Sequence, residues 1–296
     1  MSDLFGFYIA DYQGGKSAVF THKGRPDFIV VFSEPIQVFY QNRPRLVWRL
    51  YGVFLFCLRL ALIRKNGLLC HGTITEREGC SVLFTGHRGI KKTLLLLTML
   101  RHGWDYLSDD KFVLHNGEAH IFQSFLVLRD HHFEALPWLM DVISEHRQFM
   151  RWSALRKGLR RFMRNHLPKK LLPVSDKLFN PMLQVEVNSL FPGCKVLTSA
   201  KPSVIILLQL GIKFDIIKTS REEIINDMAL IQRLAFQESI VLEDMIALYE
   251  SRIRHDIPGL ISRNLESNTF LKVILPGDCN LDLVYGEVER CLGQPS

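Results

Sequence analysis

Within its 296 residues the chain has no Cys-x-x-Cys pair, no low-complexity tract, no internal repeat and no uncharged apolar run long enough to span a bilayer. Each absence removes a class of protein. The six cysteines, Cys57, Cys70, Cys80, Cys194, Cys279 and Cys291, are scattered along the chain. That spacing excludes a structural zinc site built on paired thiolates and fits a reduced, cytoplasmic setting. Leu46 to Ile63 is the most apolar stretch, but Arg49 and Arg59 interrupt it. The uncharged run 50–58 falls well short of the ~20 residues that a membrane-crossing helix needs, so a buried helix is expected there instead. Its flanking arginines, Arg43, Arg45 and Arg64, leave contact with an anionic membrane surface open. The opening Met1-Ser2-Asp3-Leu4-Phe5-Gly6 has neither the basic nor the apolar region of an export signal.

What the chain does contain is ordinary for a globular protein: 47% hydrophobic residues, 23% charged residues and a formal charge of +7. That is enough for one large α/β domain with a smaller appended portion. The informative segment is Gly86-His87-Arg88-Gly89-Ile90-Lys91-Lys92-Thr93, placed between the strand-like run Ser81 to Thr85 and the leucine-rich run Leu94 to Leu100. A glycine-bearing turn between a strand and a helix directs backbone N–H groups and the positive helix end at one point, where phosphates can be held. In such a loop Lys92 neutralises phosphate charge and the Thr93 hydroxyl ligates Mg²⁺. Lys91 stands where the phosphate-loop pattern has its second glycine. Further along, the apolar segment ending in Leu107-Ser108 delivers two adjacent carboxylates, Asp109 and Asp110, before a hairpin-like stretch. Acids emerging from a strand end can meet a metal and a reacting hydroxyl beside the phosphates.

The order His71-Gly72, Gly79, Val82-Leu83, loop, Leu95 to Leu100, His102-Gly103, Leu107 to Asp110 resembles the catalytic core of the HPr kinase/phosphorylase group, which shares its fold with phosphoenolpyruvate carboxykinases. The resemblance implies an ATP- and Mg²⁺-dependent kinase that phosphorylates a serine-like hydroxyl of a protein, peptide or small molecule. It implies nucleotide contacts along the loop, through Gly86, His87, Arg88, Gly89, Ile90, Lys91, Lys92 and Thr93. It implies metal contacts from Thr93, Asp109 and Asp110, and catalytic roles for Asp109, Asp110 and His71. One aspartate matches the metal-associated carboxylate and the other the acceptor of the substrate proton, with the assignment open. His71 matches a histidine that orients a carboxylate or shifts its pKa. HPr kinases assemble as oligomers, so a homo-oligomer is a further implication. Two departures stand out: Lys91 places a Cβ and an added ammonium in the loop, and the glycine- and arginine-containing segment that HPr kinases carry beyond the acids has no copy here. These features leave a second reading, a catalytically inactive nucleotide-binding or peptide-binding module with a degenerate loop.

The positive charge is concentrated between Arg151 and Lys170, interleaved with Trp152, Leu155, Leu159, Phe162 and Met163. Helical spacing places the last four on one face, predicting a basic amphipathic helix suited to an acidic protein or peptide, a nucleotide's outer phosphates or anionic lipid. Nucleic acid is not expected, because no recognition module accompanies it. The predicted architecture is α/β. A P-loop nucleotide-binding core of the HPr kinase/carboxykinase type, with a mixed sheet and flanking helices, occupies 67–296. An N-terminal β-rich portion and the apolar helix occupy 1–66. Within the core the pattern predicts strands at His71 to Thr75, Ser81 to Thr85, Trp104 to Leu107 and Val204 to Leu210. It also predicts a hairpin at Asn116-Gly117 and helices opened by Ser220 with Glu223, spanning Glu243 to Arg254, and capped by Asp278.

Overall fold

The computed structural model describes residues 5–12, 15–22, 25–31, 33, 35–40, 47–143, 182–236, 251–266 and 269–293. The basic segment Arg151 to Lys170 and most of the helix expected from Glu243 lie outside the described residues.

Three glycine-punctuated runs at the start form an antiparallel meander: β1 (Phe5–Tyr12), β2 (Gly15–His22) and β3 (Arg25–Val31), with a fourth strand, β4 (Gln37–Tyr40), that the sequence did not announce. Val19, Phe28, Val30 and Val31 are buried in it, while Phe39 and Tyr40 on the outer strand are exposed. The apolar helix follows as α1 (Val47–Arg64). Its burial is partial, short of what its composition leads one to expect: Val53 is covered, but Tyr51 and Phe54 face outward. No helix among the described residues is long and apolar enough to cross a membrane.

The central element is a mixed six-stranded sheet. Its middle consists of β7 (Cys80–Thr85) and β14 (Val204–Leu210), which run parallel, with β16 (Thr269–Leu275) parallel to β14 on the far side. These three are rich in Val, Ile, Leu and Phe because helices or a second sheet cover both faces. Antiparallel partners complete the order: β15 (Asp215–Lys218) outside β16, and β6 (Thr73–Arg77) then β8 (Asp105–Ser108) outside β7. A second sheet contains β5 (Leu68–His71), β9 (Lys111–His115), β10 (Glu118–Ile121) and the short β13 (Ser199–Ala200). The β9–β10 turn is the expected hairpin, with Asn116 and Gly117 both at positive φ as this tight turn requires. A small third sheet pairs β11 (Phe125–Leu128) with β12 (Leu183–Glu186).

Several boundaries differ from expectation. The single strand predicted from His71 to Thr75 is two strands in two sheets, separated at Gly72. The reason is steric: a Cβ on Gly72 would lie 2.8 Å from the Phe84 carbonyl oxygen and 3.0 Å from the Phe112 ring, so the chain passes from one sheet to the other only where no side chain intervenes. The helix expected to span Glu243 to Arg254 and to end near Pro258-Gly259 instead continues through that pair, with Ser251 to Asn264 helical. The last helix, Leu281–Gly293, is capped by the Asn280 side chain, which accepts from the Asp282 N–H at 2.9 Å, and not by Asp278. In the helix Arg221–Phe236, Ser220 accepts from the Glu223 N–H at 3.1 Å. The Glu223 carboxylate takes Lys272 and Thr219 instead of closing the box.

The leucine-rich run after the loop is α2 (Lys92–Arg101). It is buried on several sides: Leu94, Leu96, Leu97 and Leu100 join one core cluster, whereas Leu95 and Met99 pack with Val82 and Phe84 of β7 in another. A third cluster joins the two larger sheets through Leu68, Cys70, Phe112, Ile74, Leu83 and Ile205, and receives Ile224 and Met228 from the helix Arg221–Phe236.

Candidate functional site

Topology brings the loop and the acid pair together. Both β7 and β8 run antiparallel to β6, so they point the same way and their carboxyl ends emerge at one edge of the sheet. The segment 86–91 leaves β7 there, and Asp109-Asp110 leave β8. Ligand sites in α/β folds favour this edge.

The loop is shaped by three residues at positive φ: Gly86 at 150°, Gly89 at 79° and Lys91 at 69°. Gly86 has a packing reason as well, because a Cβ there would lie 2.7 Å from the Leu208 carbonyl oxygen of β14. His87, Arg88 and Gly89 are exposed at the tip, and Ile90 is buried among Val82, Phe84 and Leu208, pinning the loop to the sheet. Lys91 therefore holds the left-handed conformation that a glycine adopts without strain. Its side chain does not turn into the loop. The ammonium donates to the carbonyl oxygens of Gly277 and, at 3.5 Å, Pro276, and reaches Cys279 Sγ at 3.3 Å, all in the turn after β16.

Lys92, the first residue of α2, is only 7% exposed. Its ammonium folds back to donate to the carbonyls of Gly86 (2.7 Å) and His87 (2.9 Å), closing the loop on itself. Burial lowers its pKa to about 8, against the opposing pull of Asp109 and Asp110, and Arg88 lowers it further. Thr93 donates its hydroxyl to Asp109, equidistant at 3.1 Å from both carboxylate oxygens. A hydroxyl on α2 thus bridges to the acid at the end of β8.

The two aspartates sit in opposite environments. Asp109 is buried and accepts from Thr73 Oγ1 at 2.8 Å as well as from Thr93, while its N–H donates to the Tyr106 hydroxyl at 3.1 Å. Desolvation raises its pKa, with the negative charge of Asp110 adding to the effect and the threonine hydrogen bonds countering it. Asp110 is a non-glycine residue at φ 66°, its side chain partly exposed. Burial of its carboxyl works to raise the pKa, but the His71 hydrogen bond and the Lys111 ammonium outweigh it and hold the group well below the usual carboxylate range. His71 Nδ1 lies 2.7 Å from the Asp110 carbonyl oxygen and 3.3 Å from its Oδ1, so Nδ1 carries the proton and donates to them. The buried Nε2 has no hydrogen-bond partner among the described residues.

His71, Thr93, Asp109 and Asp110 are thus linked by hydrogen bonds and by the aspartate doublet itself, and Lys92 feels the charge of both carboxylates. His87, Arg88 and Gly89 sit at the exposed rim, Ile90 serves as an apolar anchor, and the Lys91 side chain points elsewhere. Sequence reasoning did not single out Thr73, Lys111 or Tyr106. Thr73 follows His71 at the alternate-residue spacing that strand geometry would bring near the same acids, and Lys111 directly follows Asp110. Either could have been flagged.

No family model matches this chain, and no curated protein matches it by sequence. Among solved structures it is similar to the Hpr(Ser) kinase/phosphatase from Coxiella burnetii, at 11% identity and a TM-score of 0.33, over 75% of this chain and 94% of that one. The site is accordingly read from its own residues.

Proposed function

We propose that the chain is a nucleotide-dependent phosphotransferase that uses ATP and Mg²⁺ to phosphorylate a hydroxyl group of a protein, peptide or small molecule. The observation carrying this reading is the Thr93–Asp109 contact, 3.1 Å to each carboxylate oxygen, which joins the start of the loop helix to the acid pair. A loop hydroxyl and a strand-end carboxylate so placed would share one Mg²⁺. Among the described residues no three His, Cys, Asp or Glu side chains are gathered into a cage. This suits Mg²⁺, which takes one or two carboxylates and completes its shell with phosphate oxygens and water. When bound, the metal and nucleotide would supply the phosphoryl group and neutralise its charge.

The chain's own residues would do the rest. Lys92 would exchange the Gly86 and His87 carbonyls for phosphate oxygens, losing two neutral acceptors and gaining an anionic one. Asp109, buried and next to Thr93, fits the metal-side role. Asp110, partly exposed and held by His71 and Lys111, fits the acceptor side, where it would orient the substrate hydroxyl and receive its proton late in the transfer. The depressed pKa of Asp110 keeps it ionised and makes it a weak base, which suits it to orienting the hydroxyl, with proton uptake left to the end of the transfer.

The test is isothermal titration with ATP, with and without Mg²⁺, followed by turnover against hydroxyl acceptors. Lys92→Ala should abolish nucleotide binding while the fold is retained; unchanged ATP affinity in that variant overturns the loop assignment. The second reading, a silent nucleotide-binding module, is favoured by Lys91, whose occupation of a glycine position makes this loop depart from the pattern. Mg²⁺-dependent binding with no turnover on any acceptor would select it.

A further inference from the structure

Lys91 and Cys279 form a pair that the phosphotransfer reading does not use. Lys91 directly precedes the loop helix with a left-handed backbone, and its ammonium is clamped by the Gly277 and Pro276 carbonyls 3.3 Å from Cys279 Sγ. Lysine side chains on a surface are ordinarily free to rotate away from a thiol. This one is held against it by backbone acceptors on the same turn, so nitrogen and sulfur are pre-positioned for reaction. Both residues are partly exposed, and Cys279 is a free thiol, so a small oxidant has access. Cys70 makes the contrast: it is fully enclosed, and burial pushes its thiol up to about 12.

We propose that Lys91 and Cys279 are a redox modification site, at which a peroxide drives formation of a covalent sulfur–nitrogen link. In the first step the Cys279 thiol takes one oxygen from hydrogen peroxide; sulfur is oxidised by two electrons to the sulfenic acid and the peroxide is reduced to water. In the second, the Lys91 ammonium releases a proton to solvent, and its nitrogen attacks sulfur as the S–O bond breaks and a second water leaves. The balance is one thiol, one ammonium and one peroxide giving one sulfenamide, two waters and one proton. A thiol reductant reverses it by attacking sulfur and expelling the amine. The link would tie the start of the loop helix to the turn after β16. Its effect on nucleotide binding rests on the function proposed above; its formation does not.

The experiment is peptide mapping by mass spectrometry of the full chain after graded hydrogen peroxide, before and after a thiol reductant. The expected result is a joined pair of peptides containing Lys91 and Cys279, two hydrogens lighter than their sum and separated again by reductant. The pair should be absent from both Cys279→Ser and Lys91→Arg. Lys91→Arg keeps the cation, so its failure to link marks the amine as the reactant. Finding Cys279 oxidised only to sulfinic or sulfonic acid, joined to another cysteine, or unmodified at peroxide levels that oxidise Cys194 would overturn the proposal. ATP titration of the linked and reduced forms is read separately: a link that forms in a chain unable to bind ATP would reject the phosphotransfer reading and leave the modification site standing.

Discussion

Asp109→Asn should make the protein more stable while removing the transfer activity proposed above. The carboxylate is 4% exposed, and desolvation raises its pKa. Withdrawing a single carboxylate from water costs several kcal/mol even after local relaxation. Two hydroxyls, Thr73 and Thr93, return part of that through charge-assisted hydrogen bonds. Replacing the anion by a neutral amide weakens each of these bonds by about 1 kcal/mol while abolishing the larger desolvation term. The Tyr106 bond is made by the backbone N–H and survives the substitution. The net expectation is a gain of about 1–2 kcal/mol at pH 7, a rise of several degrees in melting temperature for a domain of this size. The sign of the pH dependence follows from the raised pKa. The ionised group disfavours folding, so the disadvantage of the native chain is absent below the unfolded value of 3.8 and grows as pH rises towards the folded pKa. The margin between the Asp109→Asn variant and the parent should therefore shrink as pH is lowered. Differential scanning calorimetry at pH 7 and pH 5, paired with phosphotransfer assays, decides the matter. A variant that melts several degrees below the parent would show that Asp109 is a hydrogen-bond hub held for stability, and the account of a carboxylate kept at a cost for function would fail.

Four other outcomes are expected. Nucleotide affinity should fall as pH rises above about 8, where the free Lys92 ammonium deprotonates, approaching tenfold per pH unit. Stability should move the other way, rising with pH between about 8 and the ordinary lysine value of 10.5 as the unfolded chain holds more protons; an ATP affinity flat from about pH 7 to well above 9 would count against Lys92 as a phosphate ligand. Gly86→Ala should lower stability in denaturant titrations by about 2 kcal/mol or more, because its Cβ meets the Leu208 oxygen at a φ that side chains rarely adopt; a change within about half a kcal/mol would mean that the loop shifts freely. Gln232→Leu should stabilise by about 1–2 kcal/mol, since both amide atoms are buried without a partner among the described residues. Destabilisation of similar size in thermal melts would instead reveal a bound water or partner.

The legible parts of the fold were those in which local pattern and tertiary placement agree. The β7–loop–α2 unit and the Asn116-Gly117 hairpin could be read because punctuation by glycine and runs of apolar residues carry their own conformational meaning. The loop and the acid pair were expected to meet at one site, but the contact that joins them was not legible. The Thr93–Asp109 contact depends on β6 lying antiparallel to both β7 and β8, a pairing set by the packing of the whole sheet. The direction of the Lys91 side chain was hidden for the same reason, since its acceptors, Pro276 and Gly277, lie far along the chain. Pro258 misled by propensity: the helix Ser251–Asn264 passes through it while packing Leu260 and Ile261 into the core. The split at Gly72 was missed because one glycine in an otherwise strand-like His71 to Thr75 reads as a local irregularity of a single strand, and the closeness of Phe84 and Phe112 is what reveals the division.

That division reaches the chemistry. His71 belongs to the smaller sheet and grips Asp110; Thr73, one residue past the break, belongs to the larger sheet and grips Asp109. The aspartate doublet is therefore the seam at which two independently woven fabrics are stitched, with a bare glycine as the needle's eye. Any substitution that shifts one fabric against the other, however distant from the loop, will be registered there as a change in how the two carboxylates sit relative to each other.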